Sequence, residues 1–327
     1  MESILVTGGS GFIGAALVKS LVDKGFRVRT LDNGFRGAWS RLEKYRSRIE
    51  CLEGDIRDAA LVSQALKDVQ TVFHLAYING TRFFYETPHL VLEVAVKGIV
   101  NVLDGMIHHK TPKLVLFSSS EVYQTPPTLP TPESVRLIVP DPYNPRHSYG
   151  GGKILSEIMA IHYARHYGFR CKIIRPHNIY GPDMGWEHVI PSFIRRFSDL
   201  QKQKSRDTVD FPIQGDGSET RSFCYIDDAV EGTLLASRDG SEDGIYNVGN
   251  DEIVSIAELA ERMAGRFQMK IRIRPGKRQE GGTTQRCPDL SKLRKLGYKP
   301  KILLEEGLKR TCEWYLQHGN IPEGTSG

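Results

Sequence analysis

An apolar strand running straight into regularly spaced glycines restricts the fold of this chain more than any other stretch. It reads Ser3-Ile4-Leu5-Val6-Thr7 and then Gly8-Gly9-Ser10-Gly11-Phe12-Ile13-Gly14. Apolar residues recur at helical spacing from there to about residue 24, so the pattern predicts strand, tight turn and helix. Gly8 permits the turn, Gly11 lets the backbone approach a pyrophosphate, and Gly14 lets helix and strand pack closely. The helix N-terminus then faces the phosphates with unpaired N–H groups. A second strand, expected over 27–31, ends at Asp32, where a carboxylate can bind ribose hydroxyls and repels a 2′-phosphate. The stretch therefore predicts a dinucleotide site that takes NAD rather than NADP. Phe12, Ile13 and Asn33 belong to the same expected site, as do Leu75 and Ala76 after a strand over 71–74. Arg36 is the counter-argument on the 2′-phosphate, its other reading being a solvated loop residue. Asp55 and Ile56, at the end of a strand over 49–52, are placed to contact adenine. A plain helix cap is the other reading of Asp55.

The alternation continues along the chain. Helices are expected over about 58–67, 88–109 and 149–167, and strands over 113–117 and 171–175. Such alternation implies right-handed crossovers and a parallel sheet with helices on both faces. The expected fold is α/β, a Rossmann-type doubly wound parallel sheet with a smaller mixed α/β substrate-binding domain. The first domain is expected over 1–176, rejoined by about 221–245, with 177–327 mainly the second. Helices are expected in that second half over about 190–200, 227–237, 255–266 and 303–317. A net charge of +5 spread along the chain argues against a nucleic-acid partner. The longest apolar runs, such as 114–117, are too short to cross a membrane. The first strand starts so near Met1 that no signal peptide is expected. Five cysteines (51, 171, 224, 287 and 312) are scattered without metal-type spacing. No metal is therefore expected, and reduced thiols in a cytoplasmic protein are.

Two later segments carry chemistry. Ser118-Ser119-Ser120-Glu121-Val122-Tyr123 follows the fifth expected strand and supplies hydroxyls and one carboxylate. Ser148-Tyr149-Gly150-Gly151-Gly152-Lys153 sets a phenol and an ammonium four residues apart, on one face of a helix. Together they can move a proton off a sugar or alcohol oxygen, and a dinucleotide couples that movement to hydride transfer. With the glycine loop, Asp32 and these segments in this order, the chain resembles the extended short-chain dehydrogenase/reductase family. More closely, it resembles the NAD-dependent nucleotide-sugar epimerases, dehydratases and decarboxylases. Arg175-Pro176-His177-Asn178-Ile179-Tyr180-Gly181-Pro182, the segment 220–228 and Asn247-Val248-Gly249 extend the likeness over nearly the whole chain.

The resemblance implies roles. Tyr149 would take the proton from the sugar O4 hydroxyl. Lys153 would bind the nicotinamide ribose and lower the Tyr149 pKa through its charge. Ser119 would hydrogen-bond the same sugar oxygen, with Ser120 beside the substrate. Asn178 and Arg221 match positions that hold the substrate's diphosphate or nearby groups, and Arg286 matches a cleft arginine of the second domain. Pairing with Asp227 or Asp228 is the other reading of Arg221. Ser118 reads as a turn residue, and His177 and His188 as packing or capping groups. The partner implied is a nucleotide-diphosphate sugar, and the assembly a homodimer through the helices over about 90–109 and 149–167. There are departures. Glycine in a helix costs about 1 kcal/mol relative to Ala, so the run 150–152 suggests a close backbone approach or a late-starting helix. Tyr77 follows His74-Leu75-Ala76 where relatives often have small residues, and would narrow the sugar pocket. Ala95 stands where many relatives carry Asn, and the proline-rich segment 124–142 is expected as a loop over the substrate.

Every candidate reaction begins by oxidising sugar C4. A 4-epimerase needs no second base. A 4,6-dehydratase needs a base at C5 and an acid for O6, and a decarboxylase needs only ketone activation. Simple 4-epimerases resembling this chain usually carry a small or neutral residue where Glu121 stands, and dTDP-glucose dehydratases carry Asp-Glu where it has Ser120-Glu121. GDP-mannose dehydratases and UDP-glucuronate decarboxylases carry Ser-Glu, and Arg286 to Asp289 also resembles the decarboxylases. The segment 181–191 does not match the decarboxylases, and the glycine loop does not look like the GDP-mannose dehydratases. A Glu121 that only hydrogen-bonds a sugar hydroxyl is the further alternative. The expectation ranks 4-epimerisation first, and 4,6-dehydration or decarboxylation with Glu121 as an extra acid–base group next. A non-catalytic NAD sensor is a remote reading, against which intact Ser119, Tyr149 and Lys153 stand.

Overall fold

The computed structural model describes residues 2–202, 208–239, 244–277 and 281–318. Residues 240–243, within the stretch expected to rejoin the first domain, lie outside the described residues, as do 319–327 at the end of the second. The chain opens with β1 (Ser3–Thr7), α1 (Phe12–Asp23), β2 (Arg27–Asp32), β3 (Ile49–Glu53), α2 (Ala59–Leu66) and β4 (Thr71–His74). It continues through α3 (Thr81–Glu86), α4 (Pro88–His109), β5 (Lys113–Phe117), α5 (Ser148–Tyr167) and β6 (Arg170–Pro176). Proline at the first position of α4 suits a helix start, and α5 stops at Gly168, whose φ of +75° is a left-handed cap that favours glycine.

The second half adds β7 (Ile179–Tyr180), α6 (Val189–Lys202), β8 (Thr208–Ile213), β9 (Thr220–Ser222), β10 (Cys224–Tyr225) and α7 (Ile226–Asp239). Then come β11 (Gly244–Val248), β12 (Ile253–Ser255), α8 (Ile256–Arg266), β13 (Lys270–Pro275), β14 (Gln285–Arg286), α9 (Ser291–Arg294) and α10 (Leu304–His318).

Seven parallel strands form one sheet in the order β3-β2-β1-β4-β5-β6-β11. The Rossmann-type α/β architecture is therefore present. Strand order reverses between β1 and β4, and such a switch point opens a crevice at the carboxyl ends of the strands. The chain returns to the sheet at β11, which pairs with β6 from Gly244↔Lys172 to Val248↔Pro176. Residues 223–226 do not join that sheet. They supply β10, which pairs with β7, and then enter α7, which packs on α1. Three small sheets, β12-β9-β14, β10-β7 and β13-β8, complete the second half.

Apolar side chains cover both faces of the large sheet. Leu17, Val18 and Leu21 of α1 are buried in one cluster, and Val62 and Leu66 of α2 with Val91, Ile99 and Leu103 of α4 in the other. Each such side chain contributes about 1.5–3 kcal/mol, and together they hold the strand ends that carry the site. No helix among the described residues is long and apolar enough to cross a membrane, and no cluster there has the makings of a metal site.

Candidate active site

The crevice at the switch point is built by backbone. Gly8 has a φ of +72°, and a Cβ there would stand 2.8 Å from the Ala76 amide nitrogen. Thr7 Oγ1 accepts from the Leu75 and Ala76 amides, both at 3.2 Å, which fixes the exit of β4. A Cβ on Gly14 would collide with the Gly8 carbonyl oxygen. Helix α1 starts after Gly11 with no capping side chain, so its first N–H groups stand available to an anion. Asp32 is held by two amides, Ser10 N at 2.9 Å and Gly34 N at 2.8 Å, and lines the cleft with Gly8, Gly11, Asn33, Leu75 and Ala76. An uncapped helix end, a glycine turn and an oriented carboxylate fit NAD.

Around this frame several expected residues take particular places. Asp55 and Ile56 also line the cleft. Asn33 Nδ2 donates to Asp55 at 3.0 Å. Arg57 clamps the same carboxylate at 2.8 and 2.9 Å, and its hydrogen bonds hold Asp55 down at about 2 against partial burial. Asp55 is not a helix cap, because Asp58 accepts from Leu61 N at 3.0 Å and caps α2. Phe12 and Ile13 contribute no side chain to the cleft. Both pack against the core, and the Phe12 ring lines a separate depression with Lys19 and Arg41. Arg36 is not simply solvated. It pairs with Glu187 at 3.0 Å and lies 4.9 Å over the Phe83 ring.

Tyr149 and Lys153 lie on the first turns of α5, both buried. Phe84 of α3 stacks on the Tyr149 ring at 4.9 Å, and Tyr77 meets it edge-on at 5.1 Å. Ser119 stands beside the Tyr149 phenol, and its Oγ accepts from Glu121 N at 3.2 Å. Burial pushes the phenol up to about 12 against the lowering effect of Ser119. Lys153 Nζ donates to the Phe117 carbonyl at 2.6 Å, and burial brings the ammonium down to about 7. The expected lowering of Tyr149 by Lys153 is therefore not found. The ammonium bonds a main-chain carbonyl, and desolvation of the phenol is the larger effect.

Glu121 is clamped. One carboxylate oxygen meets Arg146 Nη2 at 2.8 Å and the other meets Arg286 Nη2 at 2.8 Å. Burial raises the carboxyl, but the guanidinium groups of Arg286 and Arg146 outweigh it and hold it down at about 2. Arg286 also donates to Thr283 Oγ1, and its Nε is buried with no partner among the described residues. Arg221 donates to the carbonyls of Thr220 and Thr283 at 2.8 Å, and burial beside Arg286 lowers it to about 10. It does not pair with Asp228, which instead accepts from the Lys301 and Ile302 amides at 2.9 Å. Asn178, in a left-handed conformation, donates to the Ser222 carbonyl at 3.1 Å and so pins β9. Ser120 is buried at the start of a 3-10 turn, and the Ser118 hydroxyl is buried without a partner among the described residues. His177 meets Asn247 Oδ1 at 3.1 Å, and burial lowers it to about 3. The segment 124–142 is tied to the second half, where Thr131 exchanges backbone bonds with Cys287 and Asp289.

Residues 4–249 match the family model for the NAD dependent epimerase/dehydratase family. The chain belongs to that family. It is 33% identical over 325 residues to UDP-glucuronic acid decarboxylase 3 of Arabidopsis thaliana, covering 98% of this chain and 90% of that one. It is also 33% identical to a putative UDP-glucose 4-epimerase of Methanocaldococcus jannaschii, over 95% of this chain and 97% of the other. Among solved structures, the dTDP-glucose 4,6-dehydratase DesIV of Streptomyces venezuelae, with NAD and TYD bound, superposes with a TM-score of 0.86. That match is at 28% identity and covers 97% of each chain. The chain is thus an NAD-dependent enzyme of the epimerase/dehydratase family.

Two residues of this site, Arg146 and Phe84, are not singled out in the sequence, and Tyr77 is read there only as narrowing the sugar pocket. Arg146 lies three residues before Tyr149, a spacing that sets it one turn away. Phe84 belongs to the short helix α3, which has no apolar period of its own. The closeness of Tyr77 to Lys153 follows from β4 pairing with β5, a long-range contact.

Proposed function

We propose that this chain oxidises the C4 hydroxyl of a nucleotide-diphosphate sugar and acts as a 4-epimerase. When bound, NAD would supply the hydride acceptor for sugar C4. Tyr149 accepts the O4 proton, Ser119 hydrogen-bonds the same oxygen, and Lys153 holds the nicotinamide ribose. Arg221 and Arg286 face the diphosphate, with Asn178 at its edge and Ser120 beside the sugar. Asp32, Asn33, Asp55 and Ile56 hold the adenosine end.

The observation that carries this reading is the clamp on Glu121. A 4,6-dehydratase requires an acid at O6, and a carboxylate bonded to two guanidinium groups and held at about 2 is a poor donor and a poor base. The remaining proton-transfer pair, Ser119 and Tyr149, suffices for 4-epimerisation. Decarboxylation of a nucleotide-linked uronic acid is the second reading, because it needs no second base either. Arg146 and Arg286 at the same place supply cations for a sugar carboxylate, and the decarboxylase relative supports it.

Incubation of the enzyme with a nucleotide-sugar panel in heavy water, with products separated by chromatography and read by mass spectrometry, tests the proposal. A mass-neutral product without deuterium is expected. Loss of carbon dioxide gives the second reading, and loss of water with deuterium uptake overturns both. We also read the chain as a cytoplasmic homodimer, supported by five free cysteines and by apolar residues exposed on α4 and α5.

A further inference from the structure

We propose that Tyr77 is a positioning residue for the Lys153 ammonium, and that the glycine at 152 serves to admit its hydroxyl. Tyr77, Ala95 and Gly152 meet at one point. A Cβ added at Gly152 would collide with the Tyr77 hydroxyl and come within 2.9 Å of the Ala95 Cβ. Glycine inside a helix is unfavourable unless the neighbouring space demands it. The small residues at 95 and 152 leave the gap that the phenol fills.

The tyrosine held there is in contact with the proton-transfer residues on two sides. Lys153 Nζ lies 3.9 Å from the Tyr77 ring centroid, and the Tyr77 hydroxyl donates to the Tyr149 carbonyl at 3.4 Å. A cation over an aromatic face is attracted by the ring quadrupole, most strongly where water is excluded. Lys153 is buried, so the ring face supplies attraction that solvent does not. Packing of the phenol against Gly152 and Ala95 holds the ring over the ammonium. The groups facing Lys153 from its surroundings are Tyr77 beyond β4, His74 within β4, Tyr149 and Glu157 on α5, and the Phe117 carbonyl of β5. Glu157 favours the charged ammonium but is itself bonded to Arg175 at 2.6 Å. His74, buried and held down at about 3, contributes no charge near neutrality. Tyr77 is therefore the group through which a neutral substitution tunes the lysine.

Lys153 is charged below its pKa and loses that charge as pH rises. Removing the ring face weakens the charged form, so the lysine titrates at lower pH. The test is a carbon-13 titration of protein labelled at lysine Cε, with the Lys153 signal assigned through Lys153→Met, alongside calorimetric NAD binding. In Tyr77→Leu the Lys153 midpoint is expected about half to one pH unit lower, and Tyr77→Phe, which keeps the ring, is expected to stay close to the native value. An unchanged midpoint in Tyr77→Leu overturns the proposal, as does an equal fall in Tyr77→Phe. The second arm concerns Gly152. Gly152→Ala is expected to weaken NAD binding about tenfold, and Tyr77→Phe in the same chain to recover part of that loss, since the nearer of the two colliding atoms is gone while the Ala95 Cβ stays within 2.9 Å. A double variant no better than Gly152→Ala overturns the role given to Gly152.

Discussion

At the scale of single residues, the proposed site divides into groups assigned to move protons and groups that fix charge. Tyr149 sits at about 12 through burial, so its proton-accepting power depends on what occupies the cleft around it. Tyr149→Phe removes the acceptor while keeping the ring stacked on Phe84. Turnover of the best nucleotide sugar in the panel should fall about 10²–10⁴-fold, with the melting temperature unchanged. Turnover within tenfold of the native enzyme would show that another group takes the proton. Ser119, Tyr149 and Lys153 are legible in the sequence because helix spacing and a strand end bring them together. The state of Glu121 is not. Its two partners lie 25 and 165 positions away, and only the folded chain shows that they occupy both carboxylate oxygens.

At the scale of elements, the three glycines at the start of α5 divide by what surrounds them. A Cβ on Gly150 would stand 2.8 Å from Gln124 Nε2 and 3.2 Å from the Glu121 carbonyl, so that position is crowded. A Cβ on Gly151 would meet only Val139 Cγ2 at 3.5 Å, an ordinary contact. Gly151→Ala should therefore stabilise the chain by up to about 1 kcal/mol in urea unfolding, with turnover retained, because alanine loses less backbone freedom. A loss of stability there would mean that the glycine is needed by the helix itself. Long periodic elements such as α4 are readable from sequence because their apolar face repeats. Helix α3 is not, since six residues are too few to show a period and packing of Phe84 against Tyr149 holds them. The small strands β9 and β14 are hidden for the same reason. Two or three residues acquire strand geometry only from a partner far along the chain.

At the scale of the whole molecule, Glu121 and Arg286 tie the sheet half to the second half. The folded carboxyl at about 2 lies below an ordinary glutamate at about 4.3. A depressed carboxylate contributes stability that is fully present above the unfolded value and is lost as pH falls through the folded one. Glu121→Gln leaves two half-buried guanidinium groups without their counter-charge, so it should lower stability at pH 7 by up to about 3 kcal/mol. The gap to the native chain should shrink as pH falls from about 4.3 toward 2, followed by urea unfolding at each pH. A gap independent of pH would mean that the clamp contributes through shape and not through charge.

The outer faces of α4 and α5 carry the last argument. These helices pack against each other and expose Leu92, Val96, Leu155 and Ile158 at 36–49% of their full area. One exposed apolar residue is ordinary, but four on two adjacent helices form a patch of the kind that marks association. Both helices also carry the site, since α5 holds Tyr149 and Lys153 and α4 holds Ala95. A second copy on this face would brace the elements that position the lysine. Native protein should sediment as a dimer, and Val96→Glu with Ile158→Glu should give a monomer that keeps its fold by circular dichroism. The double variant should lose thermal stability without losing the Ser119–Tyr149 arrangement, because neither position touches the cleft. A native chain that sediments as a monomer at micromolar concentration would remove the dimer and leave the patch to another partner.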